Sequence, residues 1–148
     1  MAGPSIPCRV LCLGNELLAD DALGSVVAGQ LSGDGLEVVY TTEAGVNLLD
    51  YILGAARLVV VDTILTGAAA PGSIHILREG DMETVSGAPL HYLGLFDTLR
   101  LARELALPVP EDVVIVAVEA ADCITIGGEM TPAVQAAIPR VIGCVGRL

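Results

Sequence analysis

The chain has 148 residues, 53% of them hydrophobic, and a formal net charge of −11. That length suits one domain over 1–148, and with no Trp and a single Phe its core must be aliphatic. The acidic balance argues against nucleic acid as a partner, and because all seven basic residues are Arg, the missing Lys removes both a Walker-type phosphate loop and Schiff-base chemistry.

Met1–Pro7 lacks the basic and apolar regions of a signal peptide. Thr63–Leu77, the longest uncharged stretch, is too short and too interrupted by Gly and Pro to span a bilayer. The expectation is a cytoplasmic protein with no membrane insertion. Arg9–Leu13 is an apolar run ending in Gly14-Asn15, a buried strand followed by a turn. Leu23, Val26, Val27 and Leu31 then recur at helical spacing, with Asp20 or Asp21 as the cap and Gly33 and Gly35 at the end. Leu36–Thr41 reads as a second strand, and Asn47 is placed to cap a short helix carrying Leu48, Leu49, Ile52 and Leu53. Leu58–Val61 is continuously apolar, as a strand covered on both faces should be, and it runs straight into Asp62.

Ser73–Arg78 alternates and reads as a less buried, antiparallel edge strand. His91 stands at the head of a helix over Tyr92–Leu105, and Val113–Val118 is the last central strand. Thr131 and Pro132 open the final helix as cap and first turn, and Pro139 should kink or split it. This order of elements specifies an α/β fold: a doubly wound three-layer sandwich, with a mostly parallel, twisted five-stranded sheet, helices on both faces and one antiparallel edge strand.

In open α/β sheets, ligands bind beyond the carboxyl ends of the strands, where strand order reverses. That rule selects Glu16 after the first strand, Asp62 at the end of the third and Glu119 at the end of the last. If the first and third strands are neighbours, Glu16 and Asp62 face one crevice. Paired carboxylates need a shared proton, an Arg or a cation, and no Arg lies in these loops. A proton or a metal remains, and His91 could add an imidazole to an incomplete N/O site. Asp20 and Asp21 read first as helix caps, His75 as structural and Cys123 as a passive thiol. Cys8, Cys12, Cys123 and Cys144 form no CxxC pair and read as reduced thiols. There is no GxSxG elbow, no HExxH and no dinucleotide fingerprint, so no nucleotide is expected.

Leu13-Gly14-Asn15-Glu16-Leu17-Leu18-Ala19-Asp20-Asp21-Ala22-Leu23-Gly24 resembles the opening motif of the nickel–iron hydrogenase maturation proteases. Val60-Val61-Asp62, the loop from Gly67 to Pro71-Gly72, His91 with Leu95, and Met130-Thr131-Pro132-Ala133-Val134 resemble later motifs of that family, in the same order. Ala22 departs from the family's Gly, and in Thr41-Thr42-Glu43-Ala44-Gly45 only the last Gly fits cleanly. The resemblance implies an endopeptidase that removes the C-terminal extension of a hydrogenase large-subunit precursor after nickel insertion. It implies Glu16, Asp62 and His91 as contacts to nickel supplied by that precursor. Asp62 is then the favoured general base, and Asn15, Leu17 and Leu18 are expected to touch the protein substrate. The alternative is a non-catalytic, metal-binding maturation chaperone on the same fold.

Overall fold

In the computed structural model, which describes residues 6–31, 33, 35–81 and 90–148 and the side chains of the last segment from Leu95 onward, one sheet dominates. Its strands are β1 (Ile6–Leu13), β2 (Leu36–Thr41), β3 (Ala55–Ile64), β4 (Ile74–Leu77) and β5 (Asp112–Glu119), in the spatial order β2-β1-β3-β5-β4. All pairings are parallel except β4 with β5, so the antiparallel strand stands at an edge as expected. The chain leaves β1 first toward β2 and then returns to β3 on β1's other side, so strand order reverses between β1 and β3.

Alternation along each strand divides the core in two. Val10 and Cys12 of β1, Val59 and Val61 of β3, and Val116 and Val118 of β5 pack with α1 (Leu23–Gln30) and α4 (Pro132–Arg147). Leu11 and Leu13, Leu58 and Val60, and Ile115 and Ala117 pack on the other side, with α2 (Leu49–Ile52) and α3 (Leu90–Glu104). Asp62 shares the parity of Leu58 and Val60, which assigns it to the α2–α3 side. The short connection 105–111 leads from α3 into β5. A helix joined so closely to the following strand runs antiparallel to it, so α3 begins at the carboxyl end of the sheet. His91 is the second residue of α3, and its side chain lies outside the described residues. Among the described residues no helix is long and apolar enough to cross a membrane.

Several local expectations need correction. β3 continues through Asp62 to Ile64, because Asp62, Thr63 and Ile64 still pair with Ala117, Val118 and Glu119 of β5. Asp62 is therefore held inside a central strand rather than at its end. A 3-10 turn, Ala19–Ala22, leads directly into α1, so neither Asp20 nor Asp21 caps that helix. Asn47 lies within another 3-10 turn, Gly45–Leu48, ahead of α2, and makes no capping bond. Thr131 does occupy the cap position of α4, but its hydroxyl donates to Asp20 instead of capping the helix. Nor does Pro139 split α4, which runs unbroken to Arg147. Proline forfeits one backbone bond there, and the burial of Val134, Ala137, Val141 and Val145 against the sheet outweighs that loss.

α1 crosses β1 at Gly24, where an added Cβ would lie 2.2 Å from the carbonyl oxygen of Leu13. Gly29, in the same helix, has no atom within 4 Å of such a Cβ. Gly24→Ala is therefore expected to cost about 1–3 kcal/mol through overpacking. Gly29→Ala should be neutral, or stabilising by up to about 1 kcal/mol. Urea denaturation midpoints check both, and equal midpoints for the two variants would contradict the close crossing.

Candidate active site

The turn after β1 is built around two aspartates. Gly14, at φ +139°, leaves the strand in a conformation L residues avoid, and a Cβ there would meet the Asp21 carbonyl oxygen at 2.3 Å. Asp21 accepts the Asn15 amide N–H at 2.9 Å on one carboxylate oxygen and the Thr63 hydroxyl at 2.9 Å on the other. It thereby ties the turn to β3, one residue beyond Asp62. The side chain of Asn15 in turn accepts the Leu17 N–H at 2.9 Å.

Asp20 is wholly buried and faces away from that crevice, into the loop after β5. Its carboxylate accepts the backbone N–H groups of Ala121 (2.8 Å), Asp122 (2.9 Å) and Thr131 (2.7 Å), as well as the Thr131 hydroxyl (2.8 Å). The Asp20 N–H donates to the Asp122 carbonyl at 2.8 Å. A buried carboxylate so surrounded by donors needs no cation to offset its charge. Ala19 precedes it at φ +42°, a left-handed conformation in a non-glycine residue, which the clamp sustains.

Between these supports lies a crevice of about 150 Å³ at the β1/β3 reversal, lined by Leu13, Gly14, Asn15, Asp21, Thr42, Glu43, Ala44 and Asp62. Asp62 is nearly fully buried, and one of its carboxylate oxygens accepts the Thr63 N–H at 2.7 Å. Glu16 stands higher, on the exposed part of the same loop, where it accepts the Ser25 hydroxyl at 3.3 Å. Leu17 is exposed beside it and Leu18 half-buried. The structure thus brings Asp62 and Asn15 to the crevice and leaves Glu16 at its approach. Among the described residues no three His, Cys, Asp or Glu side chains form a metal site, and the side chain of His91 lies outside them.

Asp21 and Glu43 line the crevice, although residue type alone points to a cap and to an ordinary loop acid. The available signal for Asp21 was its place in the same loop after β1, six residues beyond Asn15. Glu119, buried at the end of β5, organises the loop after β3: it accepts the Thr66 hydroxyl (2.5 Å) and the N–H groups of Thr66 (2.9 Å) and Gly67 (3.4 Å), and pairs with His75 Nε2 (3.1 Å). His75 is structural, as its edge-strand position suggests. All four cysteines are free thiols. Burial pushes Cys12 up to about 12, reinforced by Asp62, and pushes Cys123 up to about 11 against its hydrogen bond with Thr63. Both thiols are protonated near neutrality and serve as packing groups beside the crevice.

Burial raises the Glu119 carboxyl, but the hydrogen bonds from Thr66, His75 and Gly67 outweigh it and hold the group below its ordinary value of 4.5. A depressed folded-state value gives stability that is present above the ordinary value and lost as pH falls through the lower one. Wild type should therefore exceed Glu119→Gln in stability at neutral pH, with the difference narrowing below 4.5. Chemical denaturation at a series of pH values tests this; a gap that widens on acidification would reverse the assignment. Asp20→Ala strands several buried donors and should cost roughly 3 kcal/mol or more, with amide exchange accelerating first in 120–131.

A family model described as "Hydrogenase maturation protease" matches residues 34–147. The "Hydrogenase 2 maturation protease" of Escherichia coli (strain K12) is 32% identical over 101 residues, covering 64% of this chain and 62% of the relative. The match thus spans less than two thirds of that relative's length. The hydrogenase maturating endopeptidase HybD from E. coli superimposes with a TM-score of 0.79 at 27% identity, over 94% of this chain and 89% of that one. The [NiFe] hydrogenase maturation protease HybD from Thermococcus kodakarensis shares the fold, with a TM-score of 0.76 at 24% identity over 95% and 97% of the two chains.

Proposed function

The chain belongs to the hydrogenase maturation protease family, and from that premise we propose that it is an endopeptidase that removes the C-terminal extension of a nickel–iron hydrogenase large-subunit precursor once nickel is in place. The observation that carries this reading is a buried carboxylate, Asp62, opening onto a crevice at the strand-order reversal. Such a group is rigid, partly desolvated and reachable by a bound peptide.

The nickel is cargo of the substrate. Glu16 on the exposed turn, Asp62 on the floor and His91 near the start of α3 supply two carboxylates and an imidazole, a donor set suited to a borderline divalent ion. Contact with that ion would hold the nearby scissile bond over the crevice, converting recognition into positioning. Asp62 then takes a proton from water as its oxygen bonds to the scissile carbonyl carbon. The proton passes to the departing amine as the C–N bond breaks. Asn15, with its side chain engaged in its own turn, presents a fixed wall to the peptide. Leu17 and Leu18 contact the precursor beside it. Precursor and processing enzyme meet in the cytoplasm under this reading, and no nucleotide takes part.

Mass spectrometry of nickel-loaded precursor incubated with the protein should show loss of a C-terminal fragment, and none without nickel. Glu16→Gln, Asp62→Asn and His91→Ala should each slow cleavage by roughly a hundredfold or more, the usual scale for removing a positioned acid–base or charge-stabilising group. Wild-type rates in all three variants would defeat the proposal. Stoichiometric binding without shortening of the precursor would favour a maturation chaperone instead.

A further inference from the structure

Eight large apolar side chains stand exposed among the described residues, and their distribution is uneven. Leu17, Val46, Leu65, Ile124 and Ile126 all lie in the loops that follow β1, β2, β3 and β5 at the carboxyl end of the sheet. Ile124 and Ile126 are each 82% exposed, and Leu17 62%. Isolated apolar residues on a surface need no explanation, but five of eight gathered at the end of the sheet that holds the crevice do.

Leu17, Ile124 and Ile126 sit on loops fixed by specific bonds. Asp122 accepts the N–H groups of Ile124 (2.9 Å) and Thr125 (3.0 Å) and the Thr125 hydroxyl (2.5 Å), which fixes the turn bearing both isoleucines. Leu18 pairs with Ile126 in an antiparallel bridge, and the Gly127 N–H donates to the Leu17 carbonyl at 2.8 Å. Asp20 fastens the same two loops from beneath. A surface ordered in this way binds with little further loss of conformational entropy.

The charge around these five residues is of one sign. Residues 14–22, 42–48, 65–73 and 120–131 contain Glu16, Asp20, Asp21, Glu43, Asp122 and Glu129 and no Arg or Lys. Arg140 approaches from α4 but spends a guanidinium N–H on the Gly72 carbonyl. Glu16, Glu43 and Glu129 are exposed. The complementary surface is apolar and bordered by cations.

We propose that the set of Leu17, Val46, Leu65, Ile124 and Ile126 docks the folded body of the protein substrate, on an apolar patch bordered by Arg or Lys and separate from the peptide that is cut. This rests on the reading of the chain as a processing peptidase. Docking by these residues sets affinity, while the crevice sets the chemistry.

The test measures KM and kcat on nickel-loaded precursor, together with the Kd of the same precursor for each variant in an Asp62→Asn background. Ile124→Ser/Ile126→Ser should raise KM and Kd about tenfold or more, as loss of central apolar anchors does, with kcat nearly unchanged. Ile124→Leu/Ile126→Leu should restore both constants. Leu101→Ser/Leu105→Ser, at exposed sites on and just after α3, should leave them as in wild type. Glu129→Arg should raise KM and flatten its dependence on salt. Cleavage by wild type with unchanged KM and Kd in the serine pair overturns the docking surface and leaves the peptidase reading intact. Wild-type binding without cleavage, abolished in the serine pair, upholds the surface and overturns the peptidase reading. A wild type that neither binds nor cleaves overturns both. Self-association that the serine pair abolishes, with precursor affinity unchanged, would make these residues a contact between copies and overturn the proposal.

Discussion

The rim of the site hangs on one buried charge, the carboxylate of Asp20. It collects three backbone N–H groups and a hydroxyl from the far end of the chain. An ionised group in the interior is tolerable only when its acceptor capacity is filled, and here it is filled by donors that would otherwise be orphaned. The exchange fastens the loop after β5 and the start of α4 to the turn after β1. Asp21 is then directed the opposite way, toward Thr63 and the crevice. Two adjacent identical residues therefore do different work: Asp20 draws the loop after β5 inward, and Asp21 braces the floor.

Glu119 repeats the same device one strand away. It is the last residue of β5 and collects Thr66, Gly67 and His75, so the loop after β3 cannot drift from Asp62. The carboxylates at this end of the sheet thus fall into groups by partner. Asp20 and Glu119 are buried and paid in hydrogen bonds. Asp21 and Asp62 line the crevice, and Glu16 and Glu43 are exposed to what arrives. A cation brought by a protein substrate would meet the second and third groups without disturbing the first.

The architecture was legible in the sequence wherever local pattern determines structure. Leu58–Val61 reads as a doubly covered strand because nothing but aliphatic residues occurs there, and Asp62 stands out for interrupting it. The edge position of Ile74–Leu77 agrees with its weaker burial, while its antiparallel direction is set by its pairing with β5. By contrast, Asp20 and Asn47 are not the caps that residue type suggests, and Thr131 holds its cap position with its hydroxyl turned to Asp20, because the partners that decide these roles are remote or absent. Asp20 and Thr131 are 111 positions apart, and no window-based rule reaches that far. Pro139 was misjudged for a related reason: tertiary burial of α4 overrides a local breaker. The length of β3 beyond Asp62 was hidden because Thr63 and Ile64 owe their strand conformation to β5, not to their own neighbours.

The spatial order β2-β1-β3-β5-β4 also has a consequence for how the protein comes into being. As the chain is synthesised, β1, β2 and β3 as far as Val61 can pair from the first half alone, and Asp62 is aligned once Ala117 of β5 joins. The turn bearing Asp20 must wait for Ala121, Asp122 and Thr131, which are among the last residues made. Contacts of such long sequence separation form late, because loop closure must be paid before they repay it. A nascent chain thus completes the floor of the crevice, once β5 has joined, before it completes the rim, which closes only when the C-terminal helix has docked.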